Sequence, residues 1–175
     1  DALHQALGNT AQTVSLLSGS YEWKANPNVP PPDMPQVNSV AQGDWQPNLD
    51  LDWGRLGVIN HRHTLANKVA VTKGQKVLVL GTSEYVWRSF LLAEDLEQQG
   101  AEVYFASTTR SPIAIGHAIK TARAFSDNYG LGIANFSYNV NSSDFDNIII
   151  CSETPAAMMD SSLVTALNAQ VIVDD

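Results

Sequence analysis

Apolar positions change rhythm along this chain, and the change divides it. From about Asp52 onward, short unbroken apolar runs alternate with stretches in which apolar residues recur every three or four positions. Lys76-Val-Leu-Val-Leu80 is such a run, as expected of a strand buried on both faces. After Gly81-Thr-Ser-Glu84, residues Val86, Phe90, Ala93 and Leu96 follow at near-helical spacing to about Gln99, and Gly100 stands where a helix-terminating glycine belongs. Glu102 to Ala106 predicts a second strand. Pro112, favoured as a first helical residue, with Ser111 as its cap, predicts a helix from Ile113 to about Ala124.

A turn at Ser126–Gly130 then leads to a strand-like stretch, Gly132–Val140, and the rhythm repeats. Phe145–Cys151 predicts a strand, Ser152-Glu-Thr-Pro155 a helix-starting turn, Ala156–Asn168 a helix and Gln170–Val173 a strand. A short helix is expected over His63–Val71. Strands alternating with helices imply βαβ units, hence an α/β three-layer domain with a mostly parallel sheet.

Residues 1–52 have a different character. Six of the eight prolines lie between Pro27 and Pro47, which predicts an extended proline-rich arm preceding a domain over 53–175. A short helix over Ala2–Leu7 is expected, with Trp23 and Trp45 pinning the arm to a folded body.

Composition narrows the function. An apolar content of 44% and a charged content of 16% are those of an ordinary globular domain. The net charge of −8 argues against nucleic acid and anionic membrane as partners. No apolar run is long enough for a transmembrane helix, and no signal-peptide pattern opens the chain. The single cysteine, Cys151, lies in an apolar run and allows no internal disulfide, which fits the cytoplasm. A start at Asp1 and an end just after a strand-like run suggest a piece of a longer protein.

The chemistry concentrates where strands should end, the usual ligand edge of a parallel sheet. Ser107-Thr-Thr-Arg-Ser-Pro112 gathers hydroxyls and a guanidinium before the expected helix. Thr108, Thr109, Arg110 and Ser111 therefore read as an anion-binding turn, most simply for phosphate. Gly81, Thr82, Ser83 and Glu84 form a second loop of this kind. Its glycine permits close backbone approach, and Glu84 could orient a ribose hydroxyl or coordinate Mg²⁺. Glu153 and Thr154 form a third.

Other residues read more plainly. His117, Lys120 and Arg123 fall at three-residue spacing on the expected helix and mark a solvated face or a positive path. Adjacent strand positions such as His61-Arg62-His63 point apart and make a poor metal site. Tyr129, Phe136 and Tyr138 read as core before base-stacking, and Asp127 and Asn128 as turn formers. Cys151 should be buried and inert. No nucleophile–base dyad is evident, so a Ser/His/Asp hydrolase is disfavoured.

The block Thr109-Arg-Ser-Pro112 resembles the tetrapeptide for which the TRSP domain is named. Val77-Leu-Val-Leu-Gly-Thr-Ser-Glu84, Phe125-Ser-Asp-Asn-Tyr-Gly130 and Phe136-Ser-Tyr-Asn-Val140 are similar to other blocks of that family, in the same order. The resemblance covers roughly residues 52–173. It implies a Rossmann-like domain C-terminal to a phosphoribosyltransferase-like domain, in bacterial proteins tied to tellurite-resistance and stress-response clusters. It further implies a nucleotide-like or ribosyl-phosphate compound as ligand, with the transferase-like partner in cis or trans.

A phosphoribosyltransferase usually follows an acidic pair with a Thr/Gly-rich loop. Here Val171-Ile-Val-Asp174-Asp175 ends the chain, and because the family places the transferase core N-terminally, that pair reads as coincidence. Three readings stay open: part of a transferase, a non-catalytic nucleotide-sensing module, or an interaction domain, with homo-oligomers compatible with each.

Overall fold

Parallel pairing organises the described part of the molecule. The computed structural model describes Gln5, Ala6, Gly8, residues 14–24 and Pro27 in one compact unit, Asp1–Pro31, and residues 65–174 in a second, Pro32–Asp175. In the first unit Trp23 is exposed, and Gln5 and Ala6 are helical; the rest of the Ala2–Leu7 helix, Trp45, the prolines from Pro30 to Pro47 and His61–His63 lie outside the described residues.

In the second unit, β1 (Lys76–Gly81), β2 (Glu102–Ser107), β5 (Asn147–Ser152) and β6 (Gln170–Val173) form a four-stranded sheet in the order β2-β1-β5-β6. Every ladder in it is parallel. Two strands of another kind, β3 (Ala122–Ser126) and β4 (Ala134–Tyr138), pair antiparallel as a separate hairpin.

The unbroken apolar runs have the expected cause. Successive strand residues point to opposite faces. Val77, Val79, Ile149 and Cys151 therefore enter one buried cluster with Leu92, Ala93 and Leu96 of α1 (Trp87–Gln98). Leu78, Leu80, Ile148 and Ile150 enter the other with Phe125, Leu163 and Leu167, the last two on α2 (Ser161–Leu167). The sheet is thus an α/β sheet covered on both faces.

Helix α1 ends as expected. Gly100, at φ +97°, donates to the Glu97 carbonyl at 2.8 Å, and Ala101 donates to Leu96 at 3.3 Å, the double bond of a Schellman ending. Its buried face is rotated from the expected one. Ser89, Leu92, Ala93 and Leu96 face inward, while Phe90 is exposed.

Two expected helices are corrected. Residues 113–124 form no helix: Gly116 and Ile119 pair across a tight turn with His117 at φ +50°, and the chain then enters β3. The turn is held from a distance. Asn139 accepts from the Lys120 and Thr121 amides at 2.7 and 3.3 Å and donates to the Ala118 carbonyl at 2.8 Å. These bonds occupy backbone groups that a helix would have used itself. The helix expected over Ala156–Asn168 breaks into a 3₁₀ turn, Ala156–Met158, and α2. Near the N-terminus of the unit, the expected His63–Val71 helix reduces to a 3₁₀ turn at Leu65–Lys68, with His63 and Thr64 outside the described residues.

Asp160 explains the second break. Its carboxylate accepts the Ser162 amide at 2.8 Å as the cap of α2 and the Ser126 amide at 2.7 Å from the end of β3. Burial raises its pKa, but the bonds from Ser126 and Ser162 outweigh burial and hold the carboxyl below its ordinary range. Asp160→Ala should therefore cost about 0.5–2 kcal/mol in urea unfolding. A depressed folded-state pKa gives stability that is present above the ordinary Asp value near 4 and is lost as pH falls through the lowered one. Asp160→Asn should remove that acid-limb component from the pH–stability curve.

Candidate functional site

The register of β1 and β2 brings two loops side by side. Gly81 aligns with Ser107, so both chains leave the sheet at the same level. Thr108 then joins them: its amide donates to the Gly81 carbonyl at 2.9 Å, and its hydroxyl accepts the Ser83 amide at 2.7 Å. Ser83 holds a left-handed conformation at φ +52°, and Tyr85 folds back to the Thr82 carbonyl at 2.9 Å, closing the turn that opens α1. Gly81 is required for close approach, because a Cβ there would lie 2.7 Å from the Tyr85 carbonyl oxygen.

Between the loops lies a cleft of about 280 Å³, lined by Ser83, Glu84, Thr108, Thr109, Arg110 and Ser111. Arg110 Nη2 donates to Glu84 Oε1 at 2.8 Å across it. With the side chains 40% and 65% exposed, this pair is solvent-screened and contributes little to stability, up to about 1 kcal/mol. Thr108 and Thr109 use their hydroxyl oxygens as acceptors, Thr109 for the Ser111 amide at 3.1 Å, which leaves each O–H able to donate.

The Arg110 turn is held by β4 rather than by a following helix. Thr109 exchanges two backbone bonds with Phe136, at 3.0 and 2.7 Å. The Tyr138 hydroxyl donates to the Ser111 carbonyl at 2.7 Å and accepts the Ile113 amide at 2.6 Å, spanning Pro112. Ser111 is not a helix cap, and no helix dipole stands behind the turn. His117, Lys120 and Arg123 share no helix face; Arg123 lies in β3, His117 in the turn before it and Lys120 just after that turn.

Residues 54–167 match the protein family described as the TRSP domain C terminus to PRTase_2. This chain belongs to the TRSP domain family. No curated protein and no solved structure matches it.

Within the TRSP domain, the named tetrapeptide leaves β2 and the Gly-Thr-Ser-Glu block leaves β1. The block from Phe136 supplies the strand that pairs with Thr109. The block from Phe125 ends at a turn in which Asp127, buried, accepts the amides of Tyr129, Leu131 and Ile133 at 2.8–3.1 Å.

The remaining predicted residues lie elsewhere. Thr82 is buried beneath the cleft, its hydroxyl donating to the Cys151 carbonyl at 3.0 Å. Glu153 and Thr154 do not line the cleft. Asn128 donates to Ser152 Oγ and Thr154 Oγ1 at 3.3 and 2.8 Å, and Tyr129 OH donates to Glu153 Oε1 at 2.8 Å. This network closes the end of β5. Cys151 is buried, and desolvation, only partly offset by a bond with Ser89, pushes its thiol up to about 12.

Pattern reasoning missed one anchor. Buried Asp174 accepts from Tyr85 OH and, at 2.9 Å, from Arg88 Nη2, tying the end of β6 to the start of α1. Burial first and the Asp174 carboxylate second push the Tyr85 phenol above its ordinary value. Nothing in the spacing of Tyr85, Arg88 and Asp174 signals the contact, although Asp174 at the end of an apolar strand invited attention.

Thr108→Val tests the joint. It keeps the shape and leaves the part-buried Ser83 amide without its acceptor, so urea unfolding should show a loss of about 1–3 kcal/mol. Thr109→Val, at a more open position, should change stability by less than about 1 kcal/mol.

Proposed function

We propose that this TRSP domain binds the phosphate of a nucleotide or ribosyl phosphate in the cleft between the β1 and β2 loops. It would do so as the module C-terminal to a phosphoribosyltransferase-like domain, in a Rossmann-like arrangement. One observation carries the reading. The six residues lining the cleft are all polar, four of them bear hydroxyls, and a guanidinium stands among them. Phosphate recognition calls for such convergent donors, with the planar guanidinium fork supplying charge. The start of α1, which has no side-chain cap, comes three residues after Glu84 and adds a favourable dipole end.

With its one carboxylate, Glu84, bonded to Arg110, the lining is suited to position and neutralise a phosphate. A resident Mg²⁺ does not fit this donor set. The one carboxylate of the lining, Glu84, is engaged by Arg110, and no group of three or more His, Cys, Asp or Glu side chains gathers among the described residues. Metal would have to arrive with substrate phosphates. The wider setting, a system linked to tellurite resistance or stress, rests on the family resemblance, and its placement in the cytoplasm on the single cysteine.

The Glu84–Arg110 pair also favours a second reading, a nucleotide-sensing module without chemistry of its own. An incoming phosphate would replace one carboxylate on the guanidinium, and that exchange can be transmitted as loop movement.

Calorimetric titration of the chain with phosphoribosyl pyrophosphate and mononucleotides tests the site. Arg110→Ala should weaken binding about 10- to 100-fold, the worth of a charge-assisted contact. Glu84→Gln should tighten it several-fold, by removing the competing carboxylate. Absence of heat with all these ligands, or an unchanged affinity in Arg110→Ala, refutes the proposal. Weaker binding in Glu84→Gln would instead make Glu84 a ligand contact.

A further inference from the structure

We infer that the aromatic residues Trp87, Phe90 and Phe105 form a base-stacking subsite for a nucleotide whose phosphate occupies the cleft, an inference that rests on the phosphate reading above. Trp87 and Phe90 stack with ring centroids 5.8 Å apart and an interplanar angle of 21°. Phe105 of β2 meets Phe90 edge-on at 5.6 Å and 81°. Phe90 is 43% exposed on a helix that buries Ser89, Leu92, Ala93 and Leu96. The phenyl ring rests on the Trp87 indole on one side and on the Phe105 edge, and its exposed surface is available to a planar guest.

Position ties these rings to the cleft. Trp87 lies three residues beyond Glu84 and Phe105 three residues before Thr108, each at most about 11 Å of extended chain. A single mononucleotide can bridge that separation with its phosphate beside Arg110. Trp87 Nε1 has no hydrogen-bond partner among the described residues. That nitrogen is buried, so the indole is held by packing, with Phe90 against its face. Stacking on aromatic faces is how proteins hold bases with little dependence on their identity.

The aromatic residues first considered for stacking are engaged elsewhere. Tyr129 and Phe136 are buried, and the Tyr138 hydroxyl is committed to Ser111 and Ile113.

Titration of the chain with AMP, UMP and ribose 5-phosphate separates base from phosphate. Both nucleotides should bind about 10-fold tighter than ribose 5-phosphate, the advantage one stacking ring confers. Phe90→Ala should erase that preference and leave the ribose 5-phosphate affinity unchanged, whereas Phe90→Tyr should keep it. Indole fluorescence should be quenched by the nucleotides but not by ribose 5-phosphate, and Trp87→Phe should abolish the quench.

Equal affinity for all three ligands, still weakened by Arg110→Ala, overturns the stacking subsite and leaves the phosphate site standing. If Phe90→Ala weakens ribose 5-phosphate as much as the nucleotides, the ring merely supports the loop and the inference fails. If Phe90→Ala spares nucleotide binding but disrupts association with the phosphoribosyltransferase-like domain, the patch is a protein contact and the inference is likewise wrong. Absence of binding by all three overturns the stacking subsite, and the phosphate reading falls with it if phosphoribosyl pyrophosphate is silent as well.

Discussion

The site depends on the two-way bonding of Thr108. Parallel pairing brings β1 and β2 out of the sheet at one level, but level exits alone would leave two independent loops. Thr108 binds the Gly81 carbonyl through its amide and the Ser83 amide through its hydroxyl, and it is almost fully buried while doing so. A buried polar pair is costly to leave half made, so the two loops hold their spacing as a unit. The left-handed Ser83, the close approach at Gly81 and the placement of Glu84 opposite Arg110 follow from that spacing.

The hairpin that replaces an expected helix changes the electrostatics of the cleft. A helix after Pro112 would have pointed a positive dipole end at the turn. Instead the turn lies against β4, paired through Thr109 and Phe136 and strapped by Tyr138. Positive character then comes chiefly from Arg110, and Glu84 balances it. The formal charges of the lining therefore cancel, Arg110 against Glu84. Under the phosphate reading proposed above, selection of the anion would come from the directions of its donors rather than from a strong attractive field.

Closure elsewhere on the same edge sharpens this picture. In the order β2-β1-β5-β6 the chain reverses between β1 and β5, where α/β sheets usually open a ligand crevice. Here the β5 end is bonded to Asn128 and Tyr129, and Thr82 reaches across to the Cys151 carbonyl. The cleft lies one strand further along, between β1 and β2, and the Asp174 anchor steadies the start of α1 beside it.

The α/β class, the order along the chain of the four strands of the parallel sheet and the two loops that border the cleft were legible in the amino-acid order, whereas β3 was not. Unbroken runs such as Val77–Leu80 and Ile148–Cys151 can be satisfied only by burial on both faces, and glycine at positions 81 and 100 has local backbone reasons. Residues 113–124 and 156–168 were not legible, because their apolar spacing suits a helix while the partners that decide otherwise are distant. Asn139 takes the backbone groups of residues 118–121, and Asp160 spends one carboxylate on both Ser126 and Ser162. Which hydroxyls stay available, which carboxylate faces Arg110 and why Glu153 is withdrawn from the cleft are likewise matters of tertiary structure. Local order sets what each segment can form alone, and hydrogen-bond partners across the fold select among those options.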